Sequence, residues 1–147
     1  MKDKPNVHWI DRELVRSQVH YSLVVSEAAY KKEMLRLGNN YPDPFISSGA
    51  NATTHILMDK KNGRVCMVTM RLDKDKTLIE LYAILQHEAV HIFQEICVVM
   101  GEDKPSAEFQ AYGIQRIALN LMYQFNQYIK RQPKEVRIKL LGSVCKS

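Results

Sequence analysis

The residues His87-Glu88-Ala89-Val90-His91 lie inside a long helical pattern of the sequence. From residue 78 to residue 100 there is no Pro or Gly, and apolar residues recur at steps of three and four, which predicts an amphipathic helix. Its predicted core positions are Leu78, Leu81, Leu85, Ala89, Ile92, Ile96 and Val99. His87 and His91 fall on an adjoining stripe, so we expect them to face a cleft.

This pattern of His and Glu is typical of a catalytic zinc site. Two His four residues apart place two nitrogen ligands on one face of a helix, with a carboxylate beside them. Shuffling a chain with five His would produce the pattern in roughly 1% of cases. The match alone is therefore only suggestive, and the helical context decides whether it indicates a zinc site. We therefore predict one Zn²⁺ held by His87 and His91, with Glu88 as the general base.

A catalytic zinc site needs a third protein ligand, and four of the carboxylates after the His pair are candidates. Glu95 lies about 12 Å along the helix axis from His87, which makes joint coordination awkward. Glu102 and Asp103 fall in the turn after the helix, where solvated or capping roles are more common. Glu108 lies at the start of the next helix, which an antiparallel packing would return toward the His pair. Glu108 is the predicted third ligand, and Glu95 is the reserve.

The segments before this helix predict a small sheet. Residues 17–25 alternate between apolar and polar, which indicates a strand buried on one face. Ser26 has the features of a helix N-cap, and Gly38 ends that helix. After a long loop over residues 39–53, two β-rich runs flank Asn62-Gly63, which is a strong hairpin signal. These runs cover residues 54–59 and 64–72, and the predicted sheet has about three strands.

A second long helix is predicted after the first. Asp75 or Thr77 caps the helix that starts at residue 78, Gly101 ends it, and Pro105 precedes the next helix, over residues 106–129. Its expected buried side comprises Ala107, Ala111, Ile114, Ala118, Leu121, Met122 and Phe125. The tail over residues 130–147 is expected to form a short helix or strand, and residues 1–16 a lead-in.

Length and composition predict one soluble globular domain over residues 1–147, since 46% of the residues are apolar and 25% are charged. We find no run long enough to span a bilayer and no secretory signal, which favours a cytoplasmic protein without a membrane partner. Three widely spaced Cys fit reduced thiols. The net charge of +5 is scattered, so a nucleic-acid partner is possible but not favoured.

The His87 to His91 motif, followed one helix later by Glu108-Phe109-Gln110-Ala111-Tyr112, resembles the gluzincin branch of the zincin metallopeptidases. The length and element order are similar to the minigluzincins and related small zincin-like proteins of bacteria and phages. The resemblance covers residues 17–129 in layout and two short motifs in identity. It implies an α+β zincin-like domain, with His87, His91 and Glu108 as zinc ligands and Glu88 as the general base.

Two further residues are candidates for the chemistry. Tyr112 and His55 are the candidates for stabilising the oxyanion that forms when a peptide carbonyl is attacked. The sequence departs from the larger gluzincins because it has no substantial C-terminal subdomain. Half of the usual cleft would then come from the loop over residues 39–53, from the tail or from another molecule.

The predicted function is hydrolysis of peptide bonds in a peptide or protein substrate. The alternative is a non-catalytic module of the same fold that recognises a protein or a nucleic acid. A third possibility is a structural zinc protein in which a fourth protein ligand closes the site. Glu88 discriminates between these possibilities, because only a peptidase needs a carboxylate at that position.

Overall fold

The computed structural model describes residue 7, residues 19–73 and residues 75–142, with side chains described through residue 141. The elements are β1 (His20–Val24), α1 (Glu27–Arg36), β2 (Ala52–Asp59), β3 (Gly63–Met70), α2 (Leu78–Met100), α3 (Ala107–Lys130) and α4 (Lys134–Gly142). This confirms the predicted α+β class, and the start of the tail is a helix. Most of the predicted lead-in, residues 17–18 and residues 143–147 lie outside the described residues.

The three strands form one mixed sheet with the order β1-β3-β2. β2 and β3 form the predicted antiparallel hairpin, and β1 runs parallel to β3 on the other side. Gly63 begins β3 with a φ of 73°, a conformation that glycine adopts without steric cost. Residues 65–70 of β3 are all buried, because this central strand is covered on both faces.

Each face of the sheet packs against different elements. On the face that we call the helical face, Tyr21, Cys66, Val68 and Met70 join the buried apolar residues of α2 and α3 in one cluster. On the face that we call the loop face, Val24 and Met67 cluster with α1 and with Phe45 of the loop before β2. Successive residues of a strand point to opposite faces, so each strand contributes to both clusters.

The helix ends follow the predicted capping residues. The Ser26 hydroxyl accepts a hydrogen bond from the Ala29 amide at the start of α1. At the start of α2, Thr77 and Glu80 form a reciprocal capping box, so Thr77 and not Asp75 is the N-cap. Gly101 ends α2 in the left-handed conformation.

α2 and α3 pack side by side through a close aromatic contact. The Phe93 and Phe109 rings lie 5.5 Å apart, and a Cβ added to Gly113 would lie 2.5 Å from Phe93 Cε2. The buried residues of α3 are Gly113, Ile117, Ala118, Leu121, Phe125 and Ile129. The prediction that Ala107 and Ala111 are buried was wrong, because Phe109 and Gly113 make the contact with α2 in these first turns.

We find no helix within residues 19–73 and 75–142 that combines the length and the apolar character needed to cross a membrane.

Candidate metal centre

His87 and His91 lie next to each other on the exposed side of α2. Their Nε2 atoms are 3.1 Å apart, and the two rings meet edge to face with centroids 4.8 Å apart. The spacing of four residues produces this proximity, because it brings the second side chain one turn above the first. The two nitrogen atoms therefore lie close enough together to bind one ion.

The distance between the two nitrogen atoms suits a zinc ion. Two nitrogen ligands at the usual distance of about 2.05 Å from a tetrahedral ion lie about 3.3 Å apart, close to the observed separation. The amide oxygen of Gln94 lies 3.3 Å from His91 Nδ1. By accepting a hydrogen bond from that nitrogen, Gln94 leaves Nε2 with a lone pair for a metal. The arrangement fits two of the ligands of a zinc site.

Glu88 follows His87 on α2 and is buried, with only 5% of its surface exposed. Its Oε2 accepts a hydrogen bond of 2.6 Å from the Thr54 hydroxyl. Thr54 pairs with Val68, so its side chain is on the helical face of β2, next to α2. The carboxylate is thus held on the flank of α2 that meets the sheet.

Thr54 is a site residue that the sequence reasoning missed. The strand alternation separates Thr54 from His55, and only one of the two can point toward α2. The signal for Thr54 was the small apolar Ala52, which lies two residues earlier and on the same face of the strand. In the structure Ala52 is buried in the cluster on the helical face.

The structure does not bring Glu108 to the His pair. α3 contacts α2 through Phe93 and also through Tyr82, whose hydroxyl donates to Asn126 at 2.6 Å. At 100° per residue, His91 is rotated about 160–180° around the α2 axis from the two residues that contact α3, and His87 is rotated about 120–140° from them. The His pair is therefore on the side of α2 that faces away from α3. Glu108 is exposed on a helix that packs against the opposite flank. Within residues 19–73 and 75–142, no three His, Cys, Asp or Glu residues form a group that could hold a metal ion.

The other candidate carboxylates are also separated from the His pair. Glu95, the reserve ligand, is buried and forms an ion pair with Arg64 of β3. Its carboxylate faces the sheet and neutralises the guanidinium there. Glu102 and Asp103 are exposed in the turn between α2 and α3.

His55 lies on the loop face of the sheet, away from α2. It pairs with Met67, which belongs to the loop-face cluster. Its Nε2 lies 3.0 Å from the Thr69 hydroxyl and 3.3 Å from the Phe45 carbonyl oxygen, and its Nδ1 lies 3.5 Å from the Tyr30 hydroxyl. Burial lowers the pKa of His55, although the Phe45 carbonyl and the charges of Asp43 and Glu88 act in the opposite direction. The contacts are those of a structural residue.

Tyr112, the other oxyanion candidate, is 65% exposed on α3. It lies one turn after Glu108 on the same exposed side, and that helix packs against the flank of α2 away from the His pair. Among the predicted site residues, the structure thus places His87 and His91 in contact. It adds Gln94 as a partner of His91 and Thr54 as a partner of Glu88. Comparison of the chain with protein-family models, curated proteins and solved structures found no match.

Proposed function

We propose that this protein is a zinc-dependent peptidase of zincin-like fold in which His87 and His91 bind the metal and Glu88 is the general base. The observation that carries the proposal is the 3.1 Å separation of the two Nε2 atoms beside the buried Glu88 carboxylate on the same helix. The order of strand, helix, hairpin, His-bearing helix and second helix supports the fold. Zinc bound there would polarise a peptide carbonyl and make water a nucleophile near neutral pH.

The protein groups around this position divide the remaining work. The Gln94 amide oxygen lies 3.3 Å from His91 Nδ1, and by accepting a hydrogen bond there it would leave Nε2 available to the metal. Thr54 occupies Oε2 of Glu88, which leaves Oε1 to accept the proton of the attacking water and later to return it to the leaving amine. Because Glu88 is almost completely buried, its carboxylate is shielded from bulk water and held in one orientation.

Glu108 remains the proposed third ligand on the strength of the family resemblance. Its position on the far flank of α2 means that ligation would require the first turn of α3 to rearrange when metal binds. Zinc titration of Glu108→Ala tests this step, with Glu135→Ala, an exposed first-turn glutamate of α4, as the matched control. If zinc affinity is equal in both variants, Glu108 is not a ligand.

The proposed activity is tested by comparing Glu88→Gln with the original chain. We expect purified protein to carry one zinc per chain, and Glu88→Gln to keep the metal while losing on the order of a hundredfold or more of its cleavage rate on a peptide library. Glu102→Gln alters an exposed carboxylate two helical turns or more from the His pair. This variant should cleave the peptides at the rate of the original chain. Absence of zinc, or equal cleavage by Glu88→Gln, would contradict the peptidase proposal.

A second candidate function is a zinc-binding module without catalysis, which recognises a protein or a nucleic acid. One observation favours it: the chain carries a net charge of +5, which favours association with acidic partners. This function predicts zinc binding with no cleavage that depends on Glu88. The same pair of measurements therefore separates the two candidates.

A further inference from the structure

A cavity of about 460 Å³ lies between the loop before β2, the segment that joins β3 to α2, and the first half of α2. Its volume is within the range of small-ligand sites. We propose that this cavity binds the C-terminal residue of a peptide, so that the protein prefers substrates with a free C-terminal carboxylate and an apolar last residue. The inference rests on the proposed peptidase function and names its substrate class.

The cavity is adjacent to the candidate metal centre. Ile84 lines it and precedes His87 by three residues and Glu88 by four. On a helix these separations correspond to about 4.5 Å and 6 Å of rise, and to about 60° and 40° of rotation. The cavity therefore opens on the same flank of α2 as the His pair, within the length of one or two peptide residues.

The inner wall of the cavity is apolar. Ile46 of the loop, Leu72 after β3, and Leu81 and Ile84 of α2 all line it. Leu81 is fully buried, while the other three are partly exposed. Covering this apolar surface with an aliphatic or aromatic side chain is favourable, because it removes the surface from water. A short polar side chain would leave much of the surface exposed to water.

The rim of the cavity carries a cation available to an anion. Lys76 Nζ lies 3.6 Å from Asp73 Oδ2, so these two charges on the rim offset each other. Arg71 is exposed, with its guanidinium 6.0 Å from the centre of the Phe45 ring, and we find no carboxylate paired with it within residues 19–73 and 75–142. With two cations and one carboxylate, the lining has a net charge of +1.

A C-terminal residue matches both parts of this lining. Its side chain supplies the apolar group, and its carboxylate can form two parallel hydrogen bonds with the planar guanidinium of Arg71. An internal Asp or Glu would supply the anion with little apolar surface. An internal apolar residue would leave Arg71 without an anion. The combination of an aliphatic wall with one free Arg therefore selects the end of a peptide chain.

The test measures peptide binding in a Glu88→Gln background, with and without added zinc, where no cleavage interferes. The probes are fluorescent hexapeptides that end in Leu, either as the free acid or as the amide, and an amidated hexapeptide with an internal Glu. We expect the free acid to bind on the order of tenfold more tightly than the amide. Arg71→Gln should abolish this difference. Ala50→Trp, which fills the cavity from an exposed lining position, should weaken binding of both Leu peptides.

Lys60→Gln is the matched control, because it removes one exposed charge at the other end of the sheet, about 23 Å along β3. It should keep the preference for the free acid. Equal binding of acid and amide, or a preference that survives in Arg71→Gln, overturns the proposal. Tighter binding of the peptide with the internal Glu assigns the cavity to acidic side chains instead. None of these results depends on cleavage. The peptidase proposal is tested separately, by the zinc content of the protein and by the dependence of the cleavage rate on Glu88.

Discussion

His55 and the pair His87 and His91 have opposite surroundings, although all three are His in regular secondary structure. The His55 ring is buried on the loop face, and both of its nitrogen atoms have protein partners. The His pair is exposed on α2, and within residues 19–73 and 75–142 we find no partner of its two Nε2 atoms other than each other. A metal can replace that single contact, whereas it would have to displace three groups from His55. The availability of a nitrogen lone pair therefore separates a candidate ligand from a structural residue.

The largest expected difference is in zinc affinity. His91→Ala should weaken zinc binding by on the order of a hundredfold or more, since a two-nitrogen site becomes a single surface His. His55→Ala should leave the affinity within about threefold of the original chain wherever the variant is folded. Isothermal titration with zinc measures both. A loss of affinity in His55→Ala, at a temperature where circular dichroism shows a folded protein, would break the comparison.

For the free energy of unfolding we expect the reverse order, with a larger loss in His55→Ala than in His91→Ala. His55→Ala removes a buried ring and leaves the Thr69 hydroxyl without that partner, so we expect the free energy of unfolding to fall by about 2–4 kcal/mol. His91→Ala, in the presence of a chelator, should change it by less than about 0.5 kcal/mol because that side chain is exposed. Urea denaturation gives both values. Equal losses in the two variants would mean that the His pair also supports the fold.

Thr54 sharpens the comparison because it precedes His55 and faces the other way. Thr54→Val should lower the free energy of unfolding by about 1–2 kcal/mol, since it removes a donor from a buried carboxylate. Thr54→Ser should recover most of that stability. In the Glu88→Ala background the same Thr54→Val change should have a much smaller effect, and a double-mutant cycle measures the coupling. Additive losses would show that the hydrogen bond contributes nothing.

A smaller effect is expected from pH. Burial lowers the pKa of His55 from its usual 6.5, so the unfolded chain binds a proton more readily than the folded one. This contribution to stability is complete above pH 6.5 and is lost as the pH falls below that value. Urea midpoints in chelator should follow this trend. His55→Gln should flatten it and His87→Gln should not; the opposite pattern would assign the titration to the exposed pair.

The helix limits and the hairpin were predictable because their signals are local. Ser26, Thr77 and Gly101 act within a few residues of their own positions, and Asn62-Gly63 marks its turn because both residues tolerate a positive φ. The pairing of the His on α2 followed in the same way from helical spacing. Each of these features depends on residues that are neighbours in the sequence.

The position of Glu108 was not predictable by the same reasoning. The sequence indicated that α3 follows α2 and packs beside it, but not on which flank. That choice depends on Phe93 fitting against Gly113, a contact between residues twenty positions apart. Likewise, composition and the Asn62-Gly63 turn located the strand that contains Thr54 and His55, while tertiary packing decided which of the two faces α2. Side-chain packing determines how one element is placed around another, and the spacing of residues in the sequence does not reveal that packing.

The parallel pairing of β1 with β3 has a consequence for the order of folding. β2 and β3 are joined by a tight turn, whereas the paired residues His20 and Val65 are 45 positions apart. Closing the longer segment costs more chain entropy and needs α1 and its loop in place. We therefore expect the hairpin to form before β1 docks. Leu57→Ala in the hairpin should mainly slow refolding and Leu23→Ala in β1 should mainly accelerate unfolding, and stopped-flow chevron plots that showed the reverse would exclude this order.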